Sequence, residues 1–337
     1  MKEEMKTTNH AGIDRRSFLA STALAGLALA GGAATVPAAE PVAKAAKHNR
    51  IRLGVATYSY WHFKDPKVSV ETVIDIAGEL GVEGVDLLHR QMDLPEKEPL
   101  TAAHRAYLQR LKRQAFRNGV SFICLSTHQT FVSPDPAVLT ANVEHTKKCI
   151  DICHELGCPC LRINTGRWNT INSFDELMRQ KGVEPILPGH TEEEGFKWCI
   201  DGIERCLGKA AECGVMLALE NHWGLARTPE GQLRILNSVP SPWLGALMDT
   251  GNFLFPPYKE AAYDKLQLIA PKAVYVQAKT YYGGGEWYEL EIDYRRIAKI
   301  LNDAGYSGYV GLEFEGKENP DIAVPKSIAL LREAFGS

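Results

Sequence analysis

The chain has 337 residues, 45% of them hydrophobic and 23% charged, with a formal net charge of -3 and an isoelectric point of about 6.4. Nothing in that balance points to a nucleic-acid partner, which would call for a basic patch or stripe. The length allows one large core or two small domains, and no Pro/Ser linker, low-complexity segment or charge block divides it.

The first element is a leader. Arg15-Arg16-Ser-Phe-Leu-Ala opens an Ala/Leu/Gly-rich stretch to about Ala34, and Val36-Pro-Ala-Ala-Glu40 offers small residues for cleavage after Ala38 or Ala39. Residues 1–39 therefore read as a twin-arginine export signal, with the twin-arginine machinery as partner and the periplasm as destination. A membrane anchor is the rival reading, but the Gly and Ala content leaves the stretch only moderately hydrophobic. Residues 40–50 form a basic, Ala-rich linker without apolar periodicity, and the folded domain spans 51–337.

Within that domain short β-type runs alternate with helical patterns. Strands are expected at 51–57, 84–88, 120–126, 160–165, 215–220, 244–249, 273–279 and 309–314. Amphipathic helices are expected at 68–80, 101–118, 135–156, 193–213, 258–269, 293–304 and 321–335, with another begun by Thr228-Pro229-Glu230 as N-cap and first turn. Gly81, Gly119, Gly157, Gly214 and Gly305 follow helix ends, where a left-handed residue commonly stops a helix. All eight cysteines lie between Cys124 and Cys213 without a metal-type spacing, and they read as buried small hydrophobes. Eight strand–helix repeats point to an α/β fold, a (β/α)8 TIM barrel. A doubly wound sheet would show a glycine-rich loop after the first strand, where this chain has Thr57-Tyr-Ser-Tyr-Trp61.

Four of the runs end on a polar residue. They are Val215-Met-Leu-Ala-Leu-Glu220, Leu244-Gly-Ala-Leu-Met-Asp249, Ala273-Val-Tyr-Val-Gln277 and Tyr309-Val-Gly-Leu-Glu313. A carboxylate ending a buried strand is costly unless something neutralises it. In a barrel these ends share one mouth, so the four would converge on one cation, and an all-oxygen set favours a hard divalent ion.

The segments Ala218-Leu-Glu-Asn-His222, Met248-Asp-Thr-Gly-Asn252, Val276-Gln-Ala-Lys279 and Gly305-Tyr-Ser-Gly-Tyr-Val-Gly-Leu-Glu-Phe-Glu315 resemble the xylose isomerase-like TIM barrels of the sugar phosphate isomerase/epimerase superfamily. The resemblance covers 51–337 and is most specific in the last four strands. It implies that Glu220, Asp249, Gln277 and Glu313 hold one divalent cation, with Glu220 and Glu313 as base and acid. The family usually has His where this chain has Gln277. An amide oxygen there weakens the case for Zn²⁺ and favours Mn²⁺ or Mg²⁺. The implied activity is metal-dependent sugar isomerisation or epimerisation by proton abstraction next to a carbonyl, through an enediolate.

Other positions near strand ends are candidates for a small-molecule sugar. His89, His128 and Asn164 are placed to meet hydroxyls, and His222 follows Glu220. A histidine at such a place can equally be a structural donor. Arg162 is placed to pair with a carboxylate near the barrel floor, while Lys279 either binds substrate or pairs with Glu313 or Asp249. Trp61, Trp168, Trp223 and Trp287 fall in loops after strands, where an indole face either stacks on a sugar or packs locally. The insertion 167–191 and the loop 281–287 are candidate covers for the mouth.

Three alternatives stay open on the residues. A keto-sugar or keto-glycoside lyase or dehydratase would share the first proton abstraction. A non-catalytic sugar-binding protein would keep the pocket alone. An apurinic endonuclease would need further His ligands and a basic face that this chain lacks. Export favours a neutral sugar or glycoside over a phosphorylated one, and a homo-oligomer is compatible with the composition but not specified by it. Replacing Arg15 and Arg16 together by Lys is expected to leave precursor in the cytoplasm, measured by fractionation. Normal periplasmic recovery would remove the twin-arginine reading.

Overall fold

A computed structural model describes residues 50–253, 259–285 and 290–336, so the leader and nearly all of the linker lie outside the described residues. Eight parallel strands close into a barrel in sequential order. They are β1 (Arg52–Ala56), β2 (Gly84–Leu88), β3 (Ser121–Ser126), β4 (Cys160–Ile163), β5 (Met216–Glu220), β6 (Leu244–Asp249), β7 (Ala273–Thr280) and β8 (Tyr309–Phe314). Closure is made by β8 on β1, with Leu53 beside Val310 and Val55 beside Leu312. This is the TIM barrel that the strand–helix alternation implies.

The helices follow in order: α1 (Val70–Leu80), α2 (Ala102–Arg117), α3 (Pro136–Leu156), α4 (Phe174–Arg179), α5 (Glu192–Cys213), α6 (Pro229–Ser238), α7 (Lys259–Ile269), α8 (Tyr294–Asp303) and α9 (Pro320–Phe335). Their starts are chemically marked. Ser69 accepts from the Thr72 amide at 3.1 Å, and Thr191 and Glu194 form a reciprocal capping box at the head of α5. α1, α3 and α5 stop at Gly81, Gly157 and Gly214, each with φ between 65° and 72°, which a Cβ would disfavour. Among the described α-helices, the short α4 is the one that the sequence pattern did not predict. It sits inside the insertion 167–191, and at six residues it is too short to show an apolar period. Among the described residues no helix is long and apolar enough to cross a membrane.

Two apolar cores result. The larger lies between the strands' outward faces and the helices; it includes Val55, Leu87, Leu125, Leu161, Leu219 and Leu312. The smaller fills the barrel interior with Ile123, Cys124, Cys160, Ala218, Leu247 and Tyr275. Period-2 alternation places the next inward residues at Asp86, Ser126, Arg162, Glu220, Asp249, Gln277 and Glu313, so a polar layer rests on the apolar plug. All eight cysteines are free and seven are buried, consistent with their reading as core hydrophobes.

Glycines on the inner face make room for the large plug residues. A Cβ on Gly54 or Gly84 would lie 2.5 Å from Ile123, which occurs where the β2–β3 register shifts by one residue. A Cβ on Gly311 would lie 2.0 Å from the Tyr275 hydroxyl, which donates to Asp86 at 3.1 Å. Gly311→Ala is therefore expected to displace Tyr275 and to cost about 1–3 kcal/mol in urea unfolding, the usual penalty for overpacking. An unchanged midpoint would show that the plug is loose.

Candidate active site

The polar layer opens into a cavity of about 660 Å³ at the C-terminal ends of the strands. Enzymes on this fold place their chemistry at that end. Glu220, the last residue of β5, is buried and held on both oxygens. Arg162 Nε donates to one at 2.5 Å and Asn252 Nδ2 to the other at 3.0 Å. Burial works against this carboxylate, but the Arg162 guanidinium overcomes it and holds the group below the usual glutamate range. The pairing expected for Arg162 with a floor carboxylate is thus made with Glu220.

Asp249 ends β6 one strand away. Its Oδ1 accepts from the Gly251 and Asn252 amides at 2.7 and 3.0 Å, while the Asn221 side chain brackets its backbone. Its Oδ2 has no hydrogen-bond partner. Burial pushes this carboxyl well above the usual range; Lys279 opposes the shift, while Glu220, Glu313 and Glu315 add to it. Lys279 Nζ stands 2.6 Å from Glu315, 3.0 Å from Glu313 and 3.6 Å from Asp249. Of its two expected roles, the ion pair with Glu313 and Asp249 is present.

Gln277 donates through Nε2 to Asp86 at 2.9 Å, leaving its Oε1 buried and without a partner. Asp86 also accepts from Ser126 at 2.9 Å. Burial raises its carboxyl to about 6, although the Gln277 hydrogen bond opposes the shift. The carboxyl of Glu315 is raised as well, by burial first, against the pull of Lys279.

The weaker candidates separate. His128, Asn164, His222 and Lys279 line the cavity together with Glu220 and Glu313. Burial lowers the His222 pKa to about 4 and that of His128 well below the usual value, so both imidazoles are neutral at pH 7. Each then offers one N–H donor and one nitrogen acceptor, which suits a hydroxyl. His89 does not line the cavity. A 3-10 turn, His89–Gln91, carries it toward α3, where its Nδ1 is 3.9 Å from Cys149 Sγ and its ring 5.4 Å from that of His145. Trp61 is likewise off the cavity, its ring 5.1 Å from Phe63, and Trp168 packs edge-on against Trp198. Trp223 does line the cavity. Trp287 lies outside the described residues.

Several cavity residues were not singled out from the sequence. Asp86 interrupts the apolar run Val85-Asp-Leu-Leu88, the same signature that marked the four strand ends. Glu315 is two residues beyond Glu313 and so shares its face. Asn252, Arg90, Phe63 and Phe174 carried no comparable signal.

Residues 74–334 match the xylose isomerase-like TIM barrel family. The chain belongs to that family. Among solved structures it is similar to D-psicose 3-epimerase determined in the presence of D-fructose, at 16% identity and a TM-score of 0.64 over 85% of this chain and 100% of that one. It is also similar to the apo form of 3-keto-D-glucoside 4-epimerase from E. coli, at 14% identity and a TM-score of 0.65 over 84% and 100%. The IolI protein with a bound zinc atom matches at 14% identity and a TM-score of 0.62 over 84% and 96%. At such identities the likeness is one of fold.

The geometry makes Arg162 the counter-ion on which Glu220 depends. Arg162→Met would leave a carboxylate charge buried without its partner and is expected to cost about 3–5 kcal/mol in urea unfolding. Adding Glu220→Gln should recover much of that loss. Equal destabilisation of the single and double variants would show that the pair is not coupled.

Proposed function

We propose that the protein is a divalent-metal-dependent sugar epimerase or isomerase that moves a proton on a carbon next to a carbonyl. One observation carries the reading: an under-neutralised set of oxygen donors beneath a cavity. Asp86, Glu220, Asp249, Glu313 and Glu315 surround two cationic side chains, Arg162 and Lys279. Asp249 Oδ2 and Gln277 Oε1 are buried without hydrogen-bond partners, and Glu313 Oε2 meets Lys279 Nζ at 3.0 Å.

Such a set fits a hard dication better than Zn²⁺, which prefers nitrogen and sulfur, so Mn²⁺ or Mg²⁺ is the expected ion. Glu220, Asp249, Gln277 and Glu313 would hold it. Among the described residues, no three Asp, Glu, His or Cys ligand atoms of this set lie within 4.8 Å of one another. A bound ion would take over the neutralisation of these carboxylates that Lys279 now partly provides. When bound, the ion supplies Lewis-acid polarisation of the substrate carbonyl.

The remaining work falls to the chain's own groups. Arg162 keeps Glu220 ionised and Asn252 fixes its direction, so its carboxylate is ready to take a proton. Glu313 approaches from β8, three strands away, and with Lys279 at 3.0 Å it is placed to return a proton from another direction. Two such groups are what inversion at one carbon requires. Neutral His128 and His222, with Asn164, are placed to orient hydroxyls. The names of the structural neighbours, sugar 3-epimerases and a keto-glucoside 4-epimerase, support the same reaction class.

The test is turnover of free ketoses and 3-keto-glycosides with Mn²⁺ in D₂O. Deuterium is expected at the carbon next to the carbonyl, and Glu220→Gln or Glu313→Gln should slow exchange by about 10²–10⁴-fold. Metal analysis is expected to find one ion per chain, lost in Glu220→Ala/Asp249→Ala. Product formed without solvent deuterium would overturn proton transfer, and full metal retention by the double variant would place the ion elsewhere.

A further inference from the structure

The cavity carries two chemistries at two depths. Its floor is charged, as described above. Its rim holds Phe63, Phe174 and Trp223 together with the amides of Asn169 and Asn172. Phe63 and Phe174 remain 46% and 43% exposed, although large aromatic rings are ordinarily covered. Phe63 follows β1, Phe174 follows β4 and Trp223 follows β5. In an eight-stranded barrel closed in sequence order β1 and β5 are diametrically opposed, so these rings stand on facing walls.

Each wall is built rather than incidental. Phe63 adopts a φ of 59°, a left-handed conformation uncommon for a bulky side chain. Tyr58 and Trp61 hold its ring at centroid distances of 5.7 and 5.1 Å, and it leans edge-on over His128 at 6.0 Å. Strain of this kind persists where the surroundings impose it, which is common at ligand-binding sites. On the other wall Phe174 lies 6.1 Å from Trp223. The insertion is seated there by Gly182, where a Cβ would come within 2.3 Å of the Trp223 ring.

We propose that this rim is a second subsite that holds the neighbouring ring of a glycoside. The substrate would then be a two-ring glycoside, its reacting ring on the charged floor and its second ring between the aromatic walls. Aromatic faces cover the C–H surface of a pyranose while amides such as Asn169 and Asn172 meet its hydroxyls. A cavity of about 660 Å³ lies within the range of drug-sized ligand sites, roughly 300–1,000 Å³. The charged rim residues near it are each already paired, Arg90 with Glu96 and Arg167 with Glu184, so the rim suits a neutral ring. The substrate assignment rests on the epimerase reading above, whereas the subsite itself does not.

Calorimetric titration of the full chain with cellobiose and with methyl β-glucoside tests the subsite without catalysis. Cellobiose is expected to bind about tenfold more tightly, a difference of about 1.4 kcal/mol. Phe63→Ala or Phe174→Ala should reduce that ratio to about twofold, and Phe174→Trp should preserve it. Both rings are half exposed, so these variants are expected to fold. Equal binding of the two sugars, or a ratio untouched by both alanine variants, overturns the subsite. A retained ratio without solvent-proton exchange in any keto-sugar supports the subsite while overturning the epimerase reading.

Discussion

Closing eight parallel strands into a barrel removes any choice about where their C-terminal ends go. Each strand that alternates inward and outward along its length must deliver its last inward residue to the same opening. In this chain the layer above the plug is polar from β2 to β8, with Leu88 of β2 the one apolar strand residue beyond it that lines the cavity. Below that layer Tyr275, Ile123 and Leu247 fill the interior. That apolar plug forces the polar layer upward and keeps solvent from reaching it from beneath. The interior glycines Gly54, Gly84 and Gly311 belong to this constraint, because side chains there would collide with the plug.

The polar layer would be untenable as carboxylates alone. Burying several negative charges within a few ångströms costs far more than the fold can supply, so the groups pair, protonate or take up a cation. The first two responses are visible in the site. Arg162 neutralises Glu220, and Lys279 is shared among Asp249, Glu313 and Glu315. Burial first, and neighbouring carboxylates after it, raise the carboxyls of Asp86, Asp249 and Glu315 toward the protonated form. The third, uptake of a dication, is what the proposed function adds. A site whose carboxylates differ in protonation is prepared to move protons. The proposed reaction would need both properties, and both would rest on one electrostatic imbalance.

The loops then decide what reaches that floor. Those after β1, β4 and β5 raise aromatic walls above it, and the insertion carrying α4 is anchored on Trp223 rather than left loose over the mouth. His128 and His222, both neutral, line the same cavity as the charged floor and the aromatic rings.

Much of this was legible in the residues alone. The eight strands and most helices stood within a few residues of their positions because each carries its own period, cap or stop, and these are local properties. Glu220, Asp249, Gln277 and Glu313 were visible because a polar residue ending an apolar run is anomalous wherever it occurs. Asp86 carried the same mark in a less obvious place. Which groups meet was not legible. His89 and His128 both follow strand ends, yet a 3-10 turn takes one behind the barrel while the other faces the cavity. The partners of Lys279, the clasp of Arg162 and Asn252 on Glu220, and the opposition of Phe63 to Phe174 all join residues far apart in the chain. Contacts of that kind depend on barrel register and loop path. The tertiary structure alone decides them, because sequence periodicity sets the face of a strand on which a residue lies but not what stands across from it.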